Sequence, residues 1–163
     1  MPRYLGIDLG DKRTGLAVGD DVLKLAMPAG LIEVSIALAG DPTAAVPKPV
    51  AGDALLTALT KAAAEQLGRG EALVLGLPLN MDGTEGPRAK LVRAFGERLA
   101  ERSGRAVHFQ DERRTSVAAD EKMARTGLTH GQKKRRRDAL AAAAMLQAFL
   151  DGLGGPRAME PAN

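Results

Sequence analysis

The sequence contains no cysteine and no tryptophan, and few aromatic side chains of any kind. A chain without cysteine can form neither a disulfide framework nor a zinc–thiolate site. The core must therefore be built from Leu, Val, Ile and Ala. A flat aromatic platform for stacking single-stranded bases is not expected, because the aromatic residues are only Tyr4, Phe95, Phe109 and Phe149.

Long apolar runs are absent as well. No stretch is long enough to span a membrane, and the first apolar run is interrupted by Asp8, unlike that of a signal peptide. We therefore expect a cytoplasmic protein with no membrane partner. With 163 residues, the chain is most simply one domain over residues 1–151, followed by a disordered tail over residues 152–163.

The net charge is only +3, which does not by itself indicate a nucleic-acid-binding protein. The distribution of charge is more informative, because five consecutive cations form a basic block and Arg113 lies upstream of it. Such a block suits contacts with nucleic-acid phosphates. Its members are Lys133, Lys134, Arg135, Arg136 and Arg137.

The segment Tyr4–Asp20 indicates a hairpin of two strands. Large apolar side chains occupy every second position from Leu5 to Leu9, which is the period of a buried strand. Gly10 to Arg13 then forms the turn, and Thr14 to Gly19 the returning strand. Asp8 therefore lies near the exit of a central strand, where a carboxylate is costly to bury without a cation or a hydrogen-bond donor.

Three interpretations of Asp8 remain open at this point. It could be held by turn amides next to Gly10, or belong to the phosphate-binding hairpin of an actin-like kinase. It could also be a metal-binding carboxylate of a nuclease. The kinase interpretation fails on length, since such enzymes need two domains of this type and no second D-x-G hairpin follows.

The rest of the chain predicts strands that alternate with helices. A third strand is expected around Ala29–Val34, a surface loop over Ser35–Gly52, and a helix from Asp53 to Leu67. The continuous apolar run Ala72–Leu77 predicts a parallel strand covered on both faces. The buried stripe of the first helix is expected at Leu56, Leu59, Ala63 and Leu67.

After the loop Asn80–Gly86, Pro87 suits the first turn of a second helix, with a buried stripe at Leu91, Phe95 and Leu99. Ala106–Gln110 predicts the last strand. A short helix capped by Thr115 or Ser116, and a final helix beginning after Gly131–Lys134 and ending near Asp151, complete the chain. This order predicts an α/β fold with a hairpin-led mixed sheet and helices on its faces.

Two further acidic positions are candidates for a site. Glu112 follows the last strand, with Asp111 beside it, and either could be the functional carboxylate. The simpler alternative is a solvated strand end paired with Arg113 or Arg114. Asp138 shares a helical face with the apolar residues Ala142, Met145 and Phe149, so it should point toward the sheet. Its alternative role is that of a helix-start residue favoured by the helix dipole.

Asp8, Glu112 and Asp138 can converge at one edge of such a sheet. Oxygen ligands select hard cations, here Mg²⁺ or Mn²⁺. Two such ions can activate a water molecule and stabilise the leaving oxygen of a phosphodiester displacement.

Four segments resemble the motif blocks of a known family: LGIDLGDKRTGLAVGD, VLGLPLNMDGTEG, DERRTS and RRRDALAAAAMLQAFLD. The resemblance, from Arg3 to Asp151, is to the YqgF/RuvX family. That family is RNase H-like, related to RuvC-type Holliday junction resolvases, and also described as a pre-16S rRNA nuclease. It implies an RNase H-like fold with an antiparallel N-terminal hairpin, parallel strands and helices on both faces.

The resemblance also implies a metal-dependent endonuclease acting on branched DNA, on pre-rRNA, or on both. By position, the acidic motif residues match Asp8, Glu112 and Asp138. Arg13 matches the basic residue of the first turn, and Asn80 lies in the loop after the fourth strand. With Arg113, Lys133, Lys134, Arg135 and Arg136, these two are the expected nucleic-acid contacts. Asp11 departs from the family pattern by adding charge beside the site.

A four-way junction is two-fold symmetric, so a resolvase is expected to act as a homodimer, whereas rRNA trimming needs no such symmetry. The remaining rival is a non-catalytic nucleic-acid-binding adaptor with the same fold. The basic block would serve an adaptor equally well. An inward-pointing Asp138 would not serve it, and this residue therefore separates the two functions.

Overall fold

A computed structural model describes residues 2–10, 12–34, 53–112 and 130–153, with only the backbone described at residue 53 and residues 130–135. The predicted loop Ser35–Gly52, the predicted short helix after Thr115 or Ser116, and the tail beyond residue 153 lie outside the described residues.

The N-terminal hairpin has the predicted form. Strands β1 (Arg3–Leu9) and β2 (Thr14–Asp20) pair antiparallel, with Asp8 directly opposite Gly15. The turn closes through a hydrogen bond of 2.9 Å from the amide of Gly10 to the carbonyl of Arg13.

Strand β3 (Ala26–Ile32) pairs antiparallel with β2 and begins three residues before the predicted start at Ala29. The pairing shifts register between Leu16 and Ala17, which lets the strand continue through Pro28. β3 lies at the edge of the sheet, where a residue without an amide hydrogen is tolerated.

Strands β4 (Ala72–Leu77) and β5 (Val107–Asp111) are parallel to β1, and the sheet order is β3-β2-β1-β4-β5. All six residues of β4 are buried, as its continuous apolar run predicted. Because β1 lies at the centre with its carboxyl end beside that of β4, Asp8 is carried to the sheet edge where the parallel strands end.

Helices α1 (Asp53–Gln66) and α2 (Pro87–Ser103) cover one face, and α3 (His130–Gly152) covers the other. The mixed sheet with helices on both faces is thus confirmed. The stripe predicted for α1 is buried throughout. In the described part of the chain, no helix is both long and apolar enough to cross a membrane.

The stripe predicted for α2 is wrong at its first member. Leu91 is 38% exposed, and Val92 is buried in its place. Residues four apart drift by about 40° around a helix at each step. A row that is centred on the core at Leu99 therefore reaches the edge of the buried arc by Leu91.

Helix α3 lies directly on the backbone of the hairpin. A Cβ added to Gly6 would come within 2.9 Å of the Cβ of Leu146, and one added to Gly15 within 2.6 Å of the carbonyl carbon of Asp138. These two glycines therefore allow the helix to approach closely. Ala142 and Met145, on the predicted apolar face of α3, are both fully buried.

Candidate active site

Asp8 is the penultimate residue of β1 and is half-buried. Side chains alternate along a strand, so Asp8 shares the side of Gly6, which faces α3. The residue opposite Asp8 is Gly15, and the backbone of Asp138 lies on that glycine. The hairpin and α3 therefore bring two of the three predicted carboxylate positions next to each other.

Glu112 follows the end of β5, where its amide donates a hydrogen bond of 3.2 Å to the carbonyl of Leu77. The alternation predicted for this strand is present. The ring of His108 packs against Phe149 of α3, with centroids 5.4 Å apart, while Phe109 lies on the α2 side under the guanidinium of Arg93, at 4.8 Å. Glu112 thus shares the α3 side with Asp8, and Asp111 belongs to the opposite side.

The Glu112 carboxyl group is hydrogen-bonded to the Asp8 carboxylate. Burial, the negative charge of Asp8 and this hydrogen bond raise the pKa of Glu112 to about 9, whereas the positive charge of Arg88 acts in the opposite direction. At neutral pH Glu112 is therefore protonated and is the donor of the hydrogen bond. A cation that binds these two carboxyl groups would compete with the shared proton for the same oxygens.

The space for Glu112 exists because residue 76, on β4, has no side chain. A Cβ on Gly76 would lie 2.7 Å from the Cγ of Glu112 and would overlap its carboxyl group. The sequence gives no direct sign of this relationship, because the two residues meet across two parallel strands.

Asp138 lies more than two turns inside α3, because the helix begins at His130. Its alternative interpretation as a helix-start residue is therefore wrong. The final helix was predicted to begin after Gly131–Lys134, but it already includes these residues, and Lys is a good helix former. The Asp138 side chain, 33% exposed, forms an ion pair with Arg13, with 3.4 Å between Nε and Oδ2.

Among the described residues, no three acidic or histidine side chains are grouped closely enough to constitute a complete metal centre. The structure brings Asp8 and Glu112 into contact, and it places the backbone of Asp138 over Gly15, opposite Asp8, with the Asp138 side chain paired with Arg13. The half-buried carboxyl pair fits a hard divalent cation, since its oxygens are the preferred ligands and the cation would offset the cost of removing charge from water.

Arg88 is a residue of this region that the sequence interpretation missed. From the first turn of α2, its Nη2 donates a hydrogen bond of 3.0 Å to the carbonyl of Leu9, the residue after Asp8. A cation in the first turn of a helix opposes the helix dipole. That local conflict in the sequence Gly86-Pro87-Arg88 is the signal that could have identified it.

Asn80 is exposed in the loop after β4, at the same sheet edge as Asp8. Its side-chain amide donates to the hydroxyl of Thr84 at 3.0 Å, and Thr84 donates to Asp82 at 2.6 Å. These bonds shape the loop itself. The predicted role of Asn80 in binding nucleic acid stays a prediction.

The predicted basic contacts are only partly described. Arg136 is exposed on α3, two residues before Asp138. The backbone of Lys133, Lys134 and Arg135 belongs to the first turns of α3, but their side chains lie outside the described part of the chain, as does all of Arg113. The basic block therefore precedes Asp138 on the same helix.

The arrangement of strands and helices is that of a known resolvase. The solved structure of Thermus thermophilus RuvC in complex with a Holliday junction substrate matches with a TM-score of 0.55 and 18% identity, covering 94% of this chain and 97% of that one. A second structure of Thermus thermophilus RuvC matches with a TM-score of 0.50 and 17% identity. The fold is therefore the RNase H-like fold.

Sequence comparison narrows the class to a family. Residues 2–152 match the model of RuvX, described as a Holliday junction resolvase. An Anaeromyxobacter sp. (strain Fw109-5) protein named "Putative pre-16S rRNA nuclease" is 38% identical over 92% of this chain and 97% of its own length. One from Agathobacter rectalis with the same name is 35% identical over 95% and 99%. The chain belongs to the RuvX family and is a nuclease.

Proposed function

We propose that the protein is a divalent-metal-dependent endonuclease whose cation is held by Asp8, Glu112 and Asp138. The observation that carries this proposal is the contact between Asp8 and Glu112, where removal of Glu112 from water and the negative charge of Asp8 raise the pKa of Glu112. A strongly perturbed carboxyl at the end of parallel strands is a feature of functional sites. Asp138 is adjacent through the backbone contact with Gly15.

Bound Mg²⁺ or Mn²⁺ would supply an activated water and neutralise charge at the scissile phosphate. The chain's own residues have three further tasks. Glu112 must lose its proton before it can act as a charged ligand. Asp8 stays fixed by the β1–β2 pairing, and Arg13, which is paired with Asp138, would bind a phosphate oxygen.

The proposed substrate is structured nucleic acid. The family description names a Holliday junction, and the curated relatives are named for pre-16S rRNA. Exposed Arg136, together with the other cations of the basic block, would bind phosphates at one end of the carboxylate site. A four-way DNA junction is two-fold symmetric, so on that substrate we propose that the protein acts as a homodimer with two active sites.

The test is a cleavage panel on the wild-type protein and Asp8→Asn. A synthetic four-way junction, a pre-rRNA 5′ leader, single-stranded RNA and duplex DNA are each incubated with Mg²⁺, Mn²⁺ or EDTA. We expect cleavage of structured substrates with metal only, and loss of cleavage in Asp8→Asn, which removes ligand charge at nearly constant shape. Tight binding without cleavage under every condition would instead identify an adaptor.

A further inference from the structure

We propose that Arg88 is a positioning residue for the Asp8–Glu112 pair, an inference that rests on the proposed metal-dependent activity. Arg88 acts through the backbone of β1 rather than by touching the substrate. Its function would be to hold the exit of β1 so that Asp8 stays against Glu112, and to keep a positive charge beside two carboxyl groups.

The geometry at the end of β1 supports this role. The parallel pairing between β1 and β4 ends at Ile7 and Leu75. Two residues further on, Arg88 supplies a side-chain donor to the carbonyl of Leu9 at 3.0 Å. On its β4 side, β1 is thus held by Arg88 beyond the last pair of the β1–β4 ladder, while its β2 side stays paired as far as Leu9 and Thr14. The residue that Arg88 holds directly follows Asp8.

The positive charge of Arg88 destabilises the first turn of α2 unless another group compensates it. It directly follows Pro87, in a first turn that contains no acidic residue. The positive end of the helix dipole disfavours a cation there. The carboxyl pair provides the compensation, because the Arg88 guanidinium favours negative charge there, both before and after Glu112 loses its proton.

Arg105 provides a matched control elsewhere in the sheet. Its Nη1 donates to the carbonyls of Gly68 and Glu71, at 2.7 and 2.8 Å, just before β4 begins. Arg105 therefore clamps backbone with the same chemistry, at the opposite end of the strands from the carboxyl pair. Substitution at either position should lower the stability of the protein, but only substitution of Arg88 should affect the metal site.

The experiment compares Arg88→Gln, Arg88→Lys and Arg105→Gln with the wild type. Three quantities are measured: the Kd of the free protein for Mn²⁺ by calorimetry, kcat and KM for cleavage, and the urea unfolding midpoint in EDTA. For Arg88→Gln we expect the Mn²⁺ Kd to rise and kcat to fall by about tenfold or more, as for other residues that orient metal ligands, with KM little changed.

Lysine keeps the charge and one donor but lacks the planar fork, so Arg88→Lys should recover part of the Mn²⁺ affinity and of kcat. Arg105→Gln should lower the unfolding midpoint and leave the Mn²⁺ Kd and kcat within about twofold of wild type. If Arg88→Gln kept the Mn²⁺ affinity and kcat of the wild type, the inference about Arg88 would be overturned, but the proposed function would stand. The same holds if Arg105→Gln reduced Mn²⁺ affinity and kcat as much as Arg88→Gln does. A wild-type protein that neither binds Mn²⁺ nor cleaves would overturn the proposed function as well.

Discussion

Glu112 fills the space that a side chain at position 76 would occupy: a Cβ on Gly76 would lie 2.7 Å from the Cγ of Glu112. Gly76 is on β4, and Glu112 follows the adjacent strand β5. The carboxyl group reaches Asp8 only by crossing above this glycine. The contact between Glu112 and Asp8 therefore requires that residue 76 has no side chain.

Gly76→Ala should separate the site from the fold. The atoms in the way belong to the flexible end of Glu112, so this side chain should swing away while β4 stays paired. We expect stability to change by no more than about 1 kcal/mol, and both Mn²⁺ binding and cleavage to be abolished. Gly152→Ala, where the added Cβ would meet no atom within 4 Å, is the control. Normal cleavage by Gly76→Ala would show that Glu112 is not a ligand.

The raised pKa of Glu112 predicts a pH-dependent stability of the metal-free protein. The folded state holds this proton up to about pH 9, whereas the ordinary pKa is 4.5. The resulting stabilisation is complete below the ordinary pKa and is lost as the pH rises toward the folded value. As the pH rises between these two values, the contribution of Glu112 lowers the free energy of unfolding by at most about 1.4 kcal/mol per pH unit.

Glu112→Gln keeps the shape of the protonated acid and cannot ionise. Urea unfolding in EDTA at several pH values between about 5 and 9 should show the variant gaining on the wild type as the pH rises. Carboxyl groups outside the pair affect both proteins equally, so the difference reports the Asp8–Glu112 pair. A difference that does not change with pH would contradict the raised pKa.

Asp138→Asn tests whether a residue inside α3 contributes charge to catalysis. We expect cleavage to fall by about a hundredfold or more, with affinity for nucleic acid in EDTA near wild type. Removal of the ion pair with Arg13 should cost no more than about 1 kcal/mol of stability, because the pair is partly exposed. The matched control is Asp151→Asn, a carboxylate on the same helix that accepts a hydrogen bond from Gln147. Equal cleavage by both variants would remove Asp138 from the site.

Replacing Lys133, Lys134 and Arg136 by Ala tests the basic block. Binding should weaken for all nucleic acids alike, and the slope of log affinity against log salt should flatten by roughly one unit for each phosphate that is no longer neutralised. The measurement is binding in EDTA over a range of salt concentrations. An unchanged slope would show that these cations lie outside the interface.

Periodicity predicted the parts of the fold in which neighbouring residues decide the structure. The hairpin and β4 were located from alternation and from a continuous apolar run, and the structure has them where expected. Boundaries were less accurate where context overrides propensity. β3 extends through Pro28 because it is an edge strand, and α3 includes the basic block, which moved Asp138 from the helix start to its interior.

The three carboxylates could be proposed from the sequence because each ends a strand or interrupts an apolar face. What surrounds them could not, because those contacts join residues distant in sequence. Gly15 and Gly76 matter through what lies above them, and Arg88 matters through the carbonyl of Leu9. No local pattern records such pairs, apart from the unfavourable charge in the first turn of α2.

Helix α3 comes last among the described elements, yet it rests on the glycines of the first two strands. A ribosome makes the chain from its N-terminus, so Asp8 and Glu112 emerge well before Asp138. On the proposed assignment, a nascent chain holds an incomplete set of ligands and a bare glycine surface. The proposed ligand set is therefore complete only after α3 has packed onto β1 and β2.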